Sequence, residues 1–387
     1  MESEFHEELL TKSAMSFPLF VSLMKIHIDH FAIQDAFLQL FFLVSNNDDL
    51  VKAAMTTDQL VSSVIQATHQ HPTLRPMSCV LYASLCVDVS RTSSQEPEIR
   101  CPPSKELLSK VMLDCKRVED IDFTETEANH ARQMIIMQAG ALLEIAECFR
   151  NTLVADRIIA SCWALRMISR ADEQIQDQVG STGIIRELLD VMKTFASNPV
   201  VLYAVLCTFR SICSFSQRNG REAFQLGLID RIVEVLERHS SSAELQQQGC
   251  IALRNVFHYL KPEDMRLMNT RRLIMCVMRA MKMENQGLTT IDQGGYILQK
   301  LSCDSDANDD VIVQNGGIEL MLQTLRIPNI KASIFCVACA VLQNLSANPM
   351  YRQRVTLDGG IECLVRGMET HIEAAKVQVC LGVGECV

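Results

Sequence analysis

The chain has 387 residues, of which 48% are hydrophobic, 21% charged and only 5% aromatic. That much apolar material excludes wholesale disorder, and so few aromatics argue against sandwiches and barrels, whose strands draw on aromatic and β-branched side chains. The net charge is −10, split as −8 over residues 1–134 and −2 over residues 135–387, which argues against a general nucleic-acid binder because neutralising phosphates takes a basic surface.

At the N-terminus, Met1–Leu10 has no basic region and no long apolar run, so no signal peptide is expected. Pro18–Lys25 and Phe37–Ser45 read as the second and third helices of a first unit, and Asp58–Thr68 with Val80–Val87 read as the same pair about one period later. The apolar run Phe37–Val44 is too short to span a bilayer. Lys105–Met112 reads as a further second helix. It follows a polar loop, Ser90–Pro103, that holds three of the ten prolines. Asp114–Glu127 then carries Glu119, Asp120, Asp122, Glu125 and Glu127 where a third helix is due. The expected organisation is therefore divergent repeats over 1–113, an acidic insertion or hinge over 114–129, and a regular array over 130–387.

The array shows itself in two recurring boxes. One begins at Trp163, Cys207, Ile251, Tyr296 and Ala340, and its fourth residues, Arg166, Arg210, Arg254, Gln299 and Gln343, are spaced by 44, 44, 45 and 44. The other begins at Gly140, Gly183, Gly227, Arg272, Gly317 and Gly360, with spacings of 43, 44, 45, 45 and 43. Two boxes drifting together mark a repeat of about 44 residues. Within 304–346, Asp309–Gln314 reads as a short first helix capped by Asp310, and Asn315, Gly316 and Gly317 as a turn tolerating positive φ. Ile318–Leu325 reads as a second helix, Ile327–Asn329 as a break, and Ile330–Ser346 as a longer third helix rich in small residues. No such unit can bury its own apolar faces, so stacking is required.

These boxes resemble the armadillo repeat family. The likeness rests on the turn and helix at residues 316–318 and 359–361, on Ala252–Asn255, and on Leu342–Ser346. It implies an all-α, right-handed superhelical α-solenoid of about eight or nine three-helix units. In that family the third helices line a concave groove, and an asparagine near the end of each binds the backbone of an extended peptide. By resemblance, Asn255 and Asn344 take that role, while Met167, Ser211 and Lys300 interrupt the ladder. Nuclear import adaptors of the family pair a Trp with an Asn four residues on. Here Trp163 is the only Trp and Met167 follows it, so that activity is disfavoured.

The residues preceding the asparagine position are more regular. Arg166, Arg210 and Arg254, with Gln299 and Gln343, would place a line of guanidinium and amide groups along the rod, and a guanidinium fork can hold a carboxylate bidentately. Other features read as structural. Cys336 and Cys339 form a CxxC within an apolar helix, without the second ligand pair a metal needs. Asp304–Asp310 lacks the glycine and glutamate of a calcium loop and reads as an acidic loop capping the next helix. The nine histidines form no HExxH, and no nucleotide-cradling glycine motif occurs. Met265, Met268, Met275, Met278, Met281 and Met283 fall at helical spacing and read as core. Arg91–Ser94 and Ser240–Ser242 read as solvated linkers. Gly382 and Gly384 predict a frayed last helix.

Sixteen cysteines, placed inside apolar helical stretches rather than in a disulfide framework, point to a reducing, cytoplasmic setting, with nuclear or cytoskeletal association as variants of it. The expected function is a non-enzymatic scaffold, monomeric, that binds an acidic or extended protein segment and needs no cofactor, metal, nucleic acid or membrane. The alternative is a regulatory or assembly subunit, for example cytoskeletal or ciliary, that docks by its convex face or ends. A nuclear transport adaptor comes after both.

Overall fold

The computed structural model describes residues 17–45, 55–86, 127–150, 154–169, 172–283, 287–303 and 305–371. Lys105–Met112, the loop Ser90–Pro103, most of the acidic insertion and the glycines of the C-terminal end lie outside the described residues, while residues 127–129 of the insertion open a helix. The chain divides into two compact units, Met1–Asn219 and Gly220–Val387. Both are all-α, and no strand occurs among the described residues.

In the first unit a helix over 17–26 precedes α1 (Phe31–Ser45), α2 (Asp58–Gln70) and α3 (Arg75–Leu85). Then come α4 (Glu127–Gln138), α5 (Ala141–Phe149), α6 (Ala155–Ile168), α7 (Glu173–Ser181), α8 (Ile184–Thr194) and α9 (Pro199–Ile212). Helix α10 (Gln217–Gln225) runs across the division. The third helices pack in sequence, α1 on α3, α3 on α6 and α6 on α9. Their contact faces bury Phe41, Tyr82 and Phe209 completely or nearly so. Polar caps start several of these helices. Thr57 accepts from Leu60 N, Asp172 accepts from Ile175 N, and Asn198 accepts from Val200 N and Val201 N ahead of Pro199.

The second unit contains α11 (Leu228–Arg238), α12 (Ala243–Phe257), the single-turn α13 (Pro262–Met265), α14 (Thr270–Met281) and α15 (Leu288–Leu301). It continues with α16 (Asp306–Gln314), α17 (Gly317–Leu325), α18 (Ala332–Leu345), α19 (Pro349–Leu357) and α20 (Gly360–Thr370). Again the third helices form a row, α12 on α15 and α15 on α18, around Phe257, Ile297, Leu298 and Phe335. The fold is an all-α solenoid of three-helix repeats.

The expected turn at Asn315–Gly317 is present: where two glycines are adjacent, the left-handed residue is the first, Gly316 at φ 73° and Gly359 at φ 85°. The second glycine has a different task. A Cβ at Gly317 would lie 2.9 Å from Ile312 O, and one at Gly360 would lie 2.6 Å from Val355 O, so each lets the new helix start against the end of the previous one. One expectation is corrected, the Asp310 cap. Helix α16 begins at Asp306, three residues before the expected start, so Asp306–Asp310 is helix rather than loop; Asp310 lies within the helix and accepts a hydrogen bond from Tyr351 OH. Where the glycine box reads Arg272, the helix start is made instead by Asn269, which accepts from Arg272 N, and the Arg272 guanidinium grips Glu237.

Eleven of the twelve described cysteines are buried, and none of the twelve is in a disulfide. Cys336 and Cys339 are buried in α18, and among the described residues no group of three or more His, Cys, Asp or Glu is arranged to hold a metal. Of the methionines, Met278 and Met281 are core, whereas Met275 is 41% exposed.

Candidate protein-binding face

The third-helix rows are held by side-chain amides that the sequence reading did not single out. The last carbonyls of a helix have no partner within it and must be satisfied from outside. Gln176 Nε2 donates to Ser169 O beyond α6 at 3.1 Å, Asn219 Nδ2 donates to Ile212 O of α9 at 2.8 Å, and Asn308 Nδ2 donates to Leu301 O of α15 at 2.7 Å. These donors sit on first helices at nearly one-period or two-period spacing, so each unit closes the end of the preceding third helix. Gln34 and Gln246 perform the parallel service for second helices, Gln34 at Met24 O and Gln246 at Leu236 O.

The candidate site residues divide between the two units. Arg166 on α6 is buried at 9% exposure and Arg210 on α9 is half-buried, both in the first unit. In the second unit Arg254 and Gln343 are exposed, and Asn255, Gln299 and Asn344 are half-buried. Asn344 Nδ2 donates at 3.0 Å both to Gln299 O and to Ser302 Oγ, tying α18 to α15.

Arg254 is the arginine that the structure places among further polar groups on an open face. Its guanidinium carbon stands 5.2 Å from the centroid of the Tyr296 ring, and Lys300 Nζ stands 5.8 Å from the same centroid. His258 Nδ1 lies 3.5 Å from Tyr296 OH. Arg254 and His258 project from α12 and its C-terminal cap, one helical turn apart, and Tyr296 and Lys300 likewise from α15. Burial and the charges of Arg254 and Lys300 pull the His258 imidazole below its usual range. Asp292, one turn before Tyr296, is pushed up by burial, with Arg254 and Lys331 opposing that shift. Its Oδ2 accepts from Gln293 Nε2 at 3.1 Å. Among the described residues, neither Arg254 nor Lys300 forms an ion pair. His258, Tyr296, Lys300 and Lys331 were missed from sequence. The available signal was an aromatic at the first position of the box, as at Trp163, with cations a turn away.

The family model that matches the chain is described as LRRK2 ARM repeat and covers residues 106–291. The same three-helix architecture is found in solved structures of low sequence identity. An engineered protein from a structural genomics consortium superposes with a TM-score of 0.61 at 14% identity, covering 94% of this chain and 86% of that one. The chain has an armadillo-type solenoid fold. A structure from work on the interaction between cadherin and β-catenin is similar to this armadillo chain with a TM-score of 0.58 at 14% identity, over 93% of this chain and 66% of that one. A designed armadillo repeat protein matches with a TM-score of 0.48 at 14% identity, over 63% of this chain and 95% of that one. None of the curated proteins matches the chain. No helix among the described residues is long and apolar enough to cross a membrane.

One further group in the armadillo repeats titrates far from its ordinary value. Asp309 on α16 is buried, and burial, with Asp306 and Asp310 beside it, pushes its carboxyl up to about 7. A raised acid keeps its proton in the folded state while the unfolded chain has lost it. Stability therefore falls as pH rises from about 4 to about 7 and levels off above, by on the order of 2–4 kcal/mol if this group acts alone. Asp309→Asn is expected to flatten that slope and to raise stability at pH 8. Urea unfolding of both proteins at pH 5 and pH 8 measures it, and an unchanged slope would refute the assignment.

Proposed function

We propose that this armadillo-type protein is a non-enzymatic scaffold that binds an extended, acidic protein segment along its third-helix faces, with Arg254, Lys300 and Tyr296 as the anchoring group of the second unit. The observation that carries the reading is the convergence of two cations on one aromatic ring, with no ion pair to neutralise them among the described residues. Cations crowded together cost stability, and such arrangements occur where a ligand supplies the missing charge. Gln299 and Gln343 continue the same row toward the C-terminus, and their amides can meet the backbone of an extended chain. Helices already packed into a row lose little freedom on binding, which favours affinity for a flexible segment. β-Catenin, a protein of similar fold, interacts with cadherin, another protein. Cytoplasmic residence, with nuclear or cytoskeletal association, belongs to the same proposal.

The test is affinity capture from the native cell extract with wild type beside Arg254→Glu/Lys300→Glu, after circular dichroism shows equal helicity. Selective loss of one partner from the variant is expected. An unchanged partner set would remove the face from consideration. One observation favours the second reading, docking through the C-terminal helices: Met350 and Leu357 on α19 and Ile361 and Val365 on α20 are 77%, 75%, 58% and 50% exposed. Under that reading, Leu357→Asp/Ile361→Asp rather than the charge reversal removes the partner.

A further inference from the structure

We propose that the group formed by Arg254, His258, Tyr296 and Lys300 is a subsite for a phosphoryl group on a side chain of the bound segment. The inference rests on the face described above and names which acidic group occupies it.

The donor count argues for it. Arg254 alone can hold both oxygens of a carboxylate in its fork, which would leave Lys300 and His258 without a share of the anion. A phosphate monoester presents three terminal oxygens and a charge of about −1.5 to −2 at pH 7. Three donors from two helices, set around the same ring, match three acceptors better than two.

The charge balance agrees. Arg254 and Lys331 act on a single carboxylate, Asp292, which is half-buried and already accepts from Gln293, and Lys300 shares the Tyr296 ring with Arg254. The face therefore carries an excess of two positive charges when His258 is neutral. A dianion would offset it, and a carboxylate would leave half of it. Asp292 is the one group on α15 that would oppose an anion. It lies a turn before Tyr296, and its Oδ2 accepts from Gln293 Nε2. Arg254 and His258 are exposed and Lys300 is half-buried, so a segment lying across α12 and α15 reaches all three.

The experiment uses the full chain and three oriented peptide libraries with identical degenerate flanks and a fixed central phosphoserine, glutamate or serine. Binding is measured at constant ionic strength to wild type, Arg254→Gln, Lys300→Gln and, as a surface control on α19, Arg352→Gln, with melting curves to confirm folding. The phosphoserine library is expected to bind about ten-fold more tightly than the glutamate library, about one hydrogen-bonded charge's worth. That advantage should vanish in Arg254→Gln and Lys300→Gln and persist in Arg352→Gln. Excess inorganic phosphate should compete only weakly, since the rest of the segment contributes contacts. Equal binding of the phosphoserine and glutamate libraries, both lost in Arg254→Gln, would overturn the phosphoryl subsite and leave the acidic-segment reading standing. Binding that is indifferent to Arg254 and Lys300, or no binding of the phosphoserine library, would overturn the subsite, and indifference would also overturn the face.

Discussion

Arg75→Ala is expected to destabilise the first unit by about 3–5 kcal/mol, the usual cost of stranding one member of a buried ion pair. Glu144 on α5 has a side chain only 4% exposed, and its Oε2 lies 3.2 Å from Arg75 Nε, while Thr68 Oγ1 donates to the same oxygen at 3.1 Å and His69 contacts the other. Three elements, α2, α3 and α5, thus converge on one carboxylate. Removing the arginine leaves the charge in place with a hydroxyl and a largely exposed imidazole, neither of which replaces a guanidinium. The double variant Arg75→Met/Glu144→Gln is expected to recover most of the loss, because it removes the stranded charge together with its partner. Urea denaturation of the two variants beside wild type distinguishes this from a packing effect. If Arg75→Ala and the double variant lose the same stability, the ion pair is not what holds these helices.

Asn219→Ala carries the next largest expected effect, about 2–4 kcal/mol, as two buried carbonyls lose their donor. Asn219 is fully buried, and its Nδ2 reaches both Gln176 O at 2.6 Å and Ile212 O at 2.8 Å. Its carboxamide explains a glycine in the last turn of α7. A Cβ at Gly180 would stand 1.8 Å from Asn219 Oδ1, so α7 accepts the lower helix propensity of glycine to admit the carboxamide. Asn308→Ala, which removes a single bond at a half-buried position, is expected to cost about 1 kcal/mol. The ordering of the two variants by thermal melting is the check, and equal losses would show that the amide closures are interchangeable with solvent.

Much of the fold is legible in the sequence because stacked repeats impose a common period on every apolar face and every turn. The boxes at Trp163 through Ala340 fall on third helices, and the isolated glycines at 140, 183 and 227 all adopt positive φ. Where two glycines stand together, as at Gly316 and Gly317, the pattern does not say which one turns and which one makes room; packing decides it. The run Ser305–Asp310 offers several carboxylates as caps, and only packing, which buries Asp309, decides where the helix begins.

The candidate face was less legible. The arginine period is real, yet Arg166 is buried and Arg254 exposed, because burial depends on what neighbouring helices place above each position. Asn344, expected by resemblance to bind a partner's backbone, also braces two third helices, which its place in the sequence does not reveal. Tyr296, Lys300 and His258 were passed over because no single stretch of sequence holds them. They meet only when α12 and α15 lie side by side. Gln176, Asn219 and Asn308 read as ordinary polar residues until the helix ends they close are seen.

The most direct test of the scaffold account is site-specific photocrosslinking in cells. A photoreactive residue at Gln343, exposed on the third-helix row, is compared with one at Met275, exposed on second helix α14. The account predicts that a partner crosslinks from position 343, does not crosslink from 275, and is lost when Arg254→Glu/Lys300→Glu is added. Crosslinking of the same partner from position 275, undiminished by the charge reversal, would contradict it.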